Sequence, residues 1–335
     1  MNAVAVGPGR DTQRQPAAGQ GLLLTVAGLL LVPAVATTVM RLLPPTDDAT
    51  ALAAAFIAYG VIPYEVALVC LLVALVRARR RLVLAILSGL VAILTALHLA
   101  WLGPLFVADQ RVAGSAPFTV MSLNLYNGKA DTATVAATAE QADIAVLLEV
   151  TPAAIQALRA QGWDELFPYT VGAPVYGVGG TAVYSRFPLG RGTKLGGTAF
   201  QQWDVMVEVP ELGPVRLLAV HPCNPFCGGN QWHAEHQQLR RSAATGVDAP
   251  TIMAGDFNAV PDHGPMQRLR RIGLRSASDV IGAGWLPTYP SGRTIPPLLP
   301  IDHVLVNDRL TATSVTTFGV AGTDHRGILA TLAGA

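Results

Sequence analysis

Charged residues are scarce in this sequence. Only 13% of its 335 residues are Asp, Glu, Lys or Arg, whereas 51% are hydrophobic. Globular domains contain roughly 25% charged residues, so the composition excludes an ordinary soluble domain for the whole chain. Residues 21–40 and 82–107 contain no charged side chain, and residues 51–76 contain one, Glu65. Each stretch can cross about 30 Å of hydrocarbon as a helix, and no small-residue cleavage site follows the first, so the sequence predicts three transmembrane helices rather than a signal peptide.

The arginines predict how these helices are oriented. Arg10 and Arg14 precede the first helix, and four further arginines lie at 77–81, between the second and the third. Basic connections stay in the cytoplasm. The sequence therefore predicts a multi-pass protein of the cell membrane with its N-terminus in the cytoplasm. Its parts are a cytoplasmic tail (1–20), a three-helix transmembrane region (21–107) and an extracytoplasmic domain (108–335).

Cysteine is also rare. Cys70 lies in the second hydrophobic stretch, and Cys223 and Cys227 are four residues apart in "HPCNPFCGG". Two thiols without two further nearby ligands are a poor zinc signature. In an oxidising compartment the two are close enough to pair. The sequence leaves a disulfide, two free thiols and a metal site as alternatives.

The remaining 228 residues, 108–335, lack a basic stripe. They contain 16 Lys and Arg against 18 Asp and Glu, a formal charge of −2, which argues weakly against nucleic-acid binding. Short apolar runs bounded by Gly, Pro or Asp predict strands. These runs are 118–125, 144–150, 181–185, 203–209, 215–221, 251–256, 301–307 and 313–320. Helical patterns lie between some of these runs, at 132–142, 152–161, 231–245 and 264–272. The mixture of strands and helices predicts a layered α/β fold.

Polar side chains gather at the ends of these predicted strands. The set comprises Asn124, Glu149, His221, Asp256, Asn258, Asp302, His303, Asp324 and His325. One such residue alone is usually a turn residue, and His303 is equally well explained as an outward-facing strand residue. Four other residues are predicted on helix or loop surfaces, outside the site: His233, Glu235, His236 and His263.

The motifs that contain these residues resemble, in their order, the endonuclease/exonuclease/phosphatase superfamily, which includes DNase I. They are "SLNLYNG", "LLEV", "YSRFP", "VHP", "GDFNAVP", "IDHVLV" and "TDHRGI", and they cover about 118–331. "GDFNA" followed by a terminal "DHR" is the most specific part. The resemblance implies a four-layer α/β sandwich of two mainly antiparallel sheets with helices outside. It also implies a divalent-metal phosphoesterase with its site at one edge of the sandwich.

The same resemblance implies a role for each polar residue near a metal. Glu149 corresponds to the principal ligand of Mg²⁺ (or Mn²⁺), with Asn124 and Asp324 near the ion. Oxygen ligands of this kind suit Mg²⁺. Asp256 corresponds to the residue that orients or deprotonates the attacking water.

The remaining residues correspond to those that bind the phosphate. Asn258 would donate its amide to it, and His325 would present a catalytic imidazole whose tautomer Asp302 fixes. His221 would be a second imidazole that donates to a non-bridging oxygen or to the leaving group. Two departures from the family pattern are Leu148, where Gln commonly precedes the metal ligand, and His221 itself, where apurinic endonucleases have a tyrosine-containing motif.

Three helices before such a domain resemble the bacterial teicoplanin-resistance membrane proteins. That resemblance implies hydrolysis of a polyprenyl pyrophosphate, or of a phospholipid headgroup, in cell-wall lipid recycling or glycopeptide resistance. The predicted partners are a lipid-linked phosphorylated substrate and the membrane; nucleic acid is less favoured and no obligate protein partner is evident. The alternatives are a surface nuclease that cleaves DNA and a catalytically idle binding domain, whose expected sign, missing site residues, is not seen.

Overall fold

The structure, a computed structural model, describes residues 18–78, 81–109, 111–245 and 249–335. It divides into two compact units. One contains the described residues up to Thr38 together with Tyr59–Leu99, and the other contains Val39–Ala58 and Ala100–Ala335. Residues 1–17 of the predicted tail, with Arg10 and Arg14, lie outside the described residues, as do Arg79 and Arg80.

Three long apolar helices account for the first unit and continue slightly beyond it. They are α1 (Ala18–Leu42), α3 (Val61–Arg77) and α4 (Leu82–Leu102). In the described part of the chain, three helical spans are long and apolar enough to cross a membrane: Gly19–Leu42, Ile57–Arg77 and Leu82–Phe106. This finding confirms the predicted number of such helices.

Small side chains let these helices approach one another. Ala27, Ala34 and Ala67 are buried in their contact, as expected where close backbone approach stabilises helix pairs in lipid. Polar groups add to it, because the Thr38 hydroxyl lies 2.7 Å from the Tyr64 hydroxyl and 3.0 Å from His98 Nε2. A hydrogen-bonded cluster thus joins all three helices.

The second hydrophobic stretch is not one helix from 51 to 76, and this part of the prediction was wrong. The chain forms a short helix, α2 (Asp48–Ala54), then a 3₁₀ turn (Ile57–Gly60), and only then α3. The local cause is Asp47, whose side chain accepts a hydrogen bond of 2.9 Å from the Thr50 amide and starts α2 as a separate helix. Pro63 lies in the first turn of α3, where a missing N–H breaks no helical bond.

The second unit contains two six-stranded sheets, counted over the described residues. The strands of the first are β1 (Phe118–Asn124), β2 (Ile144–Leu148), β3 (Tyr169–Gly172), β4 (Thr181–Ser185), β11 (Leu310–Gly319) and β12 (Arg326–Gly334). Those of the second are β5 (Thr193–Lys194), β6 (Trp203–Val209), β7 (Gly213–Val220), β8 (Thr251–Asp256), β9 (Arg275–Ser276) and β10 (Asp302–Val306). The strand order is β11-β12-β1-β2-β4-β3 in the first sheet and β5-β6-β7-β8-β10-β9 in the second.

Three apolar cores separate four layers. The central core joins side chains of both sheets, such as Val120 and Val146 of the first and Leu217 and Ile252 of the second. A second core lies between the first sheet and the helices α5 (Thr132–Ala139), α6 (Pro152–Arg159) and α7 (Trp163–Leu166). A third lies between the second sheet and the helices α8 (Gln231–Ala244) and α9 (Gly264–Arg271). One more short helix, α10 (Ala277–Val280), precedes β10. The predicted four-layer α/β sandwich is confirmed.

Two parallel strand pairs determine where the polar strand ends meet. β1 runs parallel to β2 with Asn124 opposite Leu148, and β7 runs parallel to β8 with Val220 opposite Gly255. Parallel strands end at the same edge of a sheet. β10 is antiparallel to β8 and begins with Asp302 opposite Asp256, so its polar first residue joins the same edge.

The segment after β7 contains both remaining cysteines. Cys223 and Cys227 form a disulfide, with their Cα atoms 6.3 Å apart. The bridge closes a short loop that contains the 3₁₀ turn Pro225–Cys227. Of the three alternatives left by the sequence, the structure contains the disulfide.

Candidate active site

Seven of the eight predicted site residues line one cavity of about 480 Å³. They come from the edges of both sheets. In the first sheet, Asn124 ends β1, Glu149 follows β2, and Asp324 and His325 precede β12; in the second, His221 follows β7, Asp256 ends β8 and Asn258 follows it. The eighth, Asp302, lies behind His325 and is 2% exposed. The strand ends of the two sheets thus converge on one site.

Two buried carboxylates form the centre of this site. Asn124 Nδ2 donates to Glu149 Oε1 and to Asp256 Oδ2, at 3.1 Å each, and the Asn127 amide donates to Glu149 Oε2 at 2.5 Å. Burial raises the pKa of both carboxyl groups. One neutral amide cannot compensate the negative charge of two desolvated carboxylates. The pair therefore favours a nearby cation.

Left-handed backbone conformations set the direction of these groups. Glu149 has φ 56° and Asn258 has φ 48°, values that are uncommon for residues other than glycine and that cluster at functional sites. The Asn258 amide donates to Asp256 Oδ1 at 2.8 Å, and Asn258 Nδ2 donates to Pro222 O at 3.0 Å. A side-chain amide has two N–H groups, so Asn258 retains one for a ligand.

The end of β8 requires glycine at Gly255. Its φ is 149°, and a Cβ there would lie 1.9 Å from Val220 O on the neighbouring strand. No side chain fits at that distance. The close approach brings Asp256 next to the residues that follow β7.

His325 and Asp302 form a hydrogen-bonded pair. His325 Nδ1 donates to Asp302 Oδ2 at 2.8 Å, which leaves Nε2 pointing toward Asp256 Oδ2 at 3.7 Å and Asp324 Oδ1 at 3.9 Å. Burial alone would lower the pKa of His325, but the surrounding carboxylates, Asp302 first, raise it to about 10. The imidazole is therefore a cation at neutral pH in this arrangement.

His221 has the opposite protonation state. Its Nε2 is 3.8 Å from Asp256 Oδ2, and its ring packs on Phe200 with the ring centres 4.6 Å apart. Burial lowers the pKa of His221 to about 4, although the charge of Asp256 opposes this shift. One neutral and one charged imidazole thus flank the same carboxylate, a division typical of acid–base sites.

Oxygen atoms suited to a divalent cation face this cavity. Asp256, Asp302 and His325 form the compact group that could hold an ion, with ligand atoms within 4.8 Å of one another. His325 Nδ1 already donates to Asp302 Oδ2, however, so the carboxylates that line the cavity itself are those of Glu149, Asp256 and Asp324. Hard carboxylate oxygens fit Mg²⁺ or Mn²⁺ better than softer metals.

Buried rings hold the loop that follows Asp256. The carbonyl oxygens of Phe257, Asn258 and Ala259 accept hydrogen bonds of 3.0, 3.0 and 2.9 Å. Their donors are, in that order, His236 Nε2, Trp232 Nε1 and His303 Nε2. Burial lowers the pKa of His236 to about 3 and that of His303 to about 4. These neutral histidines fix the loop that carries Asn258.

Four residues that the sequence predicts outside the site are differently placed in the structure. His233, Glu235, His236 and His263 were predicted on surfaces, and all four are buried. Glu235 accepts hydrogen bonds from the amides of Ala199 (2.7 Å) and Cys223 (2.8 Å), and so joins the two loops on either side of His221. His263 also lines the cavity.

Other residues at the cavity were not anticipated. They are Tyr126, Asn127, Lys129, Phe200 and Tyr289. The adjacent Tyr126 and Asn127 have φ 49° and 54°, and the "YNG" that contains Asn127 was a turn signal in the sequence. Phe200 and Tyr289 lie in loops without periodicity, so no sequence signal marked them.

The fold is that of a phosphoesterase superfamily and supports a hydrolase. A family model described as the endonuclease/exonuclease/phosphatase family matches residues 121–325. The chain belongs to this family, whose members hydrolyse phosphate esters. A search of curated proteins found no match.

Solved structures support the fold assignment. An endonuclease/exonuclease/phosphatase from Beutenbergia cavernae is 20% identical with a TM-score of 0.50, over 65% of this chain and 72% of that one. A humanized TDP2 of D. rerio is 16% identical with a TM-score of 0.52, over 64% and 98%. A Bacteroides vulgatus endonuclease/exonuclease/phosphatase is 14% identical with a TM-score of 0.52, over 66% and 100%. Identities this low show a shared fold.

The contact between His325 and Asp302 predicts non-additive losses of activity. We expect His325→Ala to lower kcat by about 10²–10⁴-fold and Asp302→Asn to lower it less, because Asp302 acts through the imidazole. In the His325→Ala background, Asp302→Asn should have almost no further effect. Steady-state kinetics of the four forms measure this coupling.

Asp308→Asn is the matched control, since Asp308 is an exposed aspartate just after the same strand. It should leave kcat unchanged. Losses that multiply independently in the double variant would show that Asp302 acts on the metal or the substrate directly.

Proposed function

We propose that this protein is a membrane-held, Mg²⁺- or Mn²⁺-dependent phosphoesterase whose substrate is a lipid-linked pyrophosphate or a phospholipid headgroup. The observation that carries this proposal is the convergence of Glu149, Asp256 and the Asp302–His325 pair on one cavity. Such a centre offers carboxylates for a cation and for a water, and imidazoles for the charge that develops on the phosphate oxygens.

Asp256 is the proposed base. A water between its carboxylate and the phosphate would give up a proton to Asp256 as its oxygen forms a bond to phosphorus. The bond from phosphorus to the leaving oxygen would break in the same displacement, and the leaving group would depart with that electron pair as an anion that the imidazoles stabilise. The Asn258 amide, bonded at 2.8 Å, holds Asp256 Oδ1 in place, so Oδ2 is the oxygen that faces the cavity.

The imidazoles are proposed to bind the phosphate oxygens. Protonated His325 would face the negative charge that grows on those oxygens, because the bond from Nδ1 to Asp302 leaves Nε2 for the phosphate. His221 would donate from Nε2 to a non-bridging oxygen or to the leaving oxygen. A fixed array of donors lowers the barrier because it binds the transition state more tightly than the substrate.

Glu149 is the proposed principal metal ligand, with Asn124 and Asp324 beside it. A divalent cation bound there supplies positive charge to the phosphate oxygens. Asn124 donates to Glu149 and Asp256, and it therefore keeps both carboxylates directed at one point. Asp324 has a further positive neighbour, Arg293, at 3.8 Å.

The connection between the first two apolar helices supports a location of the site at the membrane. Residues Val39–Ala58 belong to the same compact unit as the catalytic residues. With three spans, the connection after the first and the chain after the third lie on one side of a membrane. The arginines at 77–81 favour the extracytoplasmic side for both. On that side the proposed enzyme would act in cell-wall lipid recycling or glycopeptide resistance.

A substrate comparison tests the function. The full chain, purified in phospholipid nanodiscs, is offered undecaprenyl pyrophosphate, sphingomyelin and plasmid DNA with Mg²⁺, with Mn²⁺ and with EDTA. We expect turnover of a lipid substrate that needs the metal. Glu149→Gln should lower it by about 10²-fold or more, because the change removes a charged ligand but keeps the shape.

Glu208→Gln, at an exposed glutamate of β6, is the matched control and should be silent. Preferred cleavage of plasmid DNA would replace the lipid proposal with a surface nuclease. Full activity in EDTA would remove the metal from the mechanism.

The proposed topology is tested separately. Alkaline phosphatase, which is active only outside the cytoplasm, is fused after Ala335, and a fusion of green fluorescent protein at the same position serves as its counterpart. We expect an active phosphatase fusion, because three spans take a cytoplasmic N-terminus to an outer C-terminal domain. An inactive phosphatase with a bright fluorescent counterpart would place the domain in the cytoplasm.

A further inference from the structure

The helix α2 packs on the catalytic part of the second unit. Its buried residues are Asp48, Ala51 and Ala54, and Ala51 belongs to the core beneath α8 and α9. The chain before it approaches closely as well: a Cβ at Gly264 would lie 2.8 Å from Pro44 Cβ. The connection between the first two apolar helices is therefore an integral part of this unit.

Two buried histidines and one ion pair hold the connection there. His263 accepts a hydrogen bond from the Val260 amide at Nδ1, and its Nε2 donates to Ala51 O at 2.8 Å. His233 bonds to Asp48 Oδ1 (3.0 Å) and to Pro45 O (2.9 Å), and Arg41 pairs with Asp262 at 3.0 Å. His263 and Asp262 end the segment that starts with Asp256, so the contacts join α2 to the loop of the proposed base.

This packing gives the active-site cavity an apolar wall. Ala51, Leu52 and Ala55 line the cavity that also contains the catalytic side chains. α2 packs against the disulfide-closed turn Pro225–Cys227, and Phe226 of that turn lines the same cavity while 79% exposed. An apolar surface thus continues directly from the phosphate-binding residues.

The charges of the lining favour one kind of occupant. Among the described residues that line the cavity, Lys129 is the only Lys or Arg, and its Nζ lies 4.4 Å from the centre of the Tyr126 ring. Single-stranded nucleic acid needs a positively charged groove that follows several phosphates. A single phosphate group followed by an apolar chain fits a polar centre with an apolar wall.

We infer that α2, through Leu52 together with Phe226, binds the apolar group attached to the reacting phosphate and so selects amphiphilic phosphate esters. This inference rests on the proposed function and adds to it a specificity element outside the family's sandwich. The connection between the first two apolar helices would then be part of the substrate site as well as a covalent link.

Binding of two product analogues tests the inference without turnover. Methyl phosphate and hexyl phosphate are titrated calorimetrically into the full chain in nanodiscs with Mg²⁺, and the heat of empty nanodiscs is subtracted. Each methylene that the wall buries is worth roughly fourfold in Kd. We expect hexyl phosphate to bind at least about tenfold more tightly than methyl phosphate.

Leu52→Asn should remove most of this chain-length advantage, because it should weaken the binding of hexyl phosphate far more than that of methyl phosphate. Leu52→Ala, which keeps an apolar surface, should remove less of it. Leu43→Asn is the matched control, because Leu43 lies in the same connection and is 74% exposed outside the cavity lining; it should change neither Kd. Thermal unfolding of each variant confirms that the domain is folded.

The outcomes separate the two proposals. Two results would contradict the inferred role of the apolar wall and leave the phosphate site intact. One is a wild type that binds methyl phosphate without preferring hexyl phosphate, and the other is a Leu52→Asn variant that keeps this preference. If methyl phosphate does not bind wild type, the proposed phosphate site fails and the inference fails with it. Thymidine 5′-phosphate is titrated in the same way. If it binds more tightly than hexyl phosphate, the inference is overturned in favour of a nucleotide substrate.

Discussion

The burial of Glu149 and Asp256 within reach of one amide is the constraint on which this site depends. Unpaired buried carboxylates are costly, and the surrounding residues compensate for them one by one. Asn124 donates to both, the Asn127 amide to the first and the Asn258 amide to the second. The charge that remains is the physical reason to expect a cation. Burial lowers the pKa of both imidazoles, and only at His325 do the charges of Asp302 and Asp256 outweigh it.

Most strands and the position of the site could be predicted because local patterns specify them. β4, β6 and β8 begin and end at the predicted residues, since each is a short apolar run between turn residues. β3 was missed because it is an edge strand with two exposed residues and no apolar run. The candidate site residues were predicted from their motifs, and the sheet geometry explains why those motifs meet: two parallel pairs end at one edge.

What the sequence did not indicate depends on contacts between distant segments. Composition made 51–76 look like one helix, because the apolar run continues across the end of α2, although Asp47 was a visible capping signal. The buried positions of His233 and His263 were equally hidden. Both histidines owe their burial to the connection that packs over them, and their partners there, Asp48 and Ala51, are 185 and 212 residues away in the chain.

The mechanism proposed for the strand-end residues of this domain is attack of water at the phosphorus of a phosphate ester. It can be tested by hydrolysis of a lipid pyrophosphate in water labelled with oxygen-18, followed by mass spectrometry of both products, for wild type and Asp256→Asn. We expect the label to enter a phosphate product, and we expect Asp256→Asn to lower the rate by orders of magnitude with the fold intact. Label in the lipid alcohol, or an undiminished rate in Asp256→Asn, would rule this mechanism out.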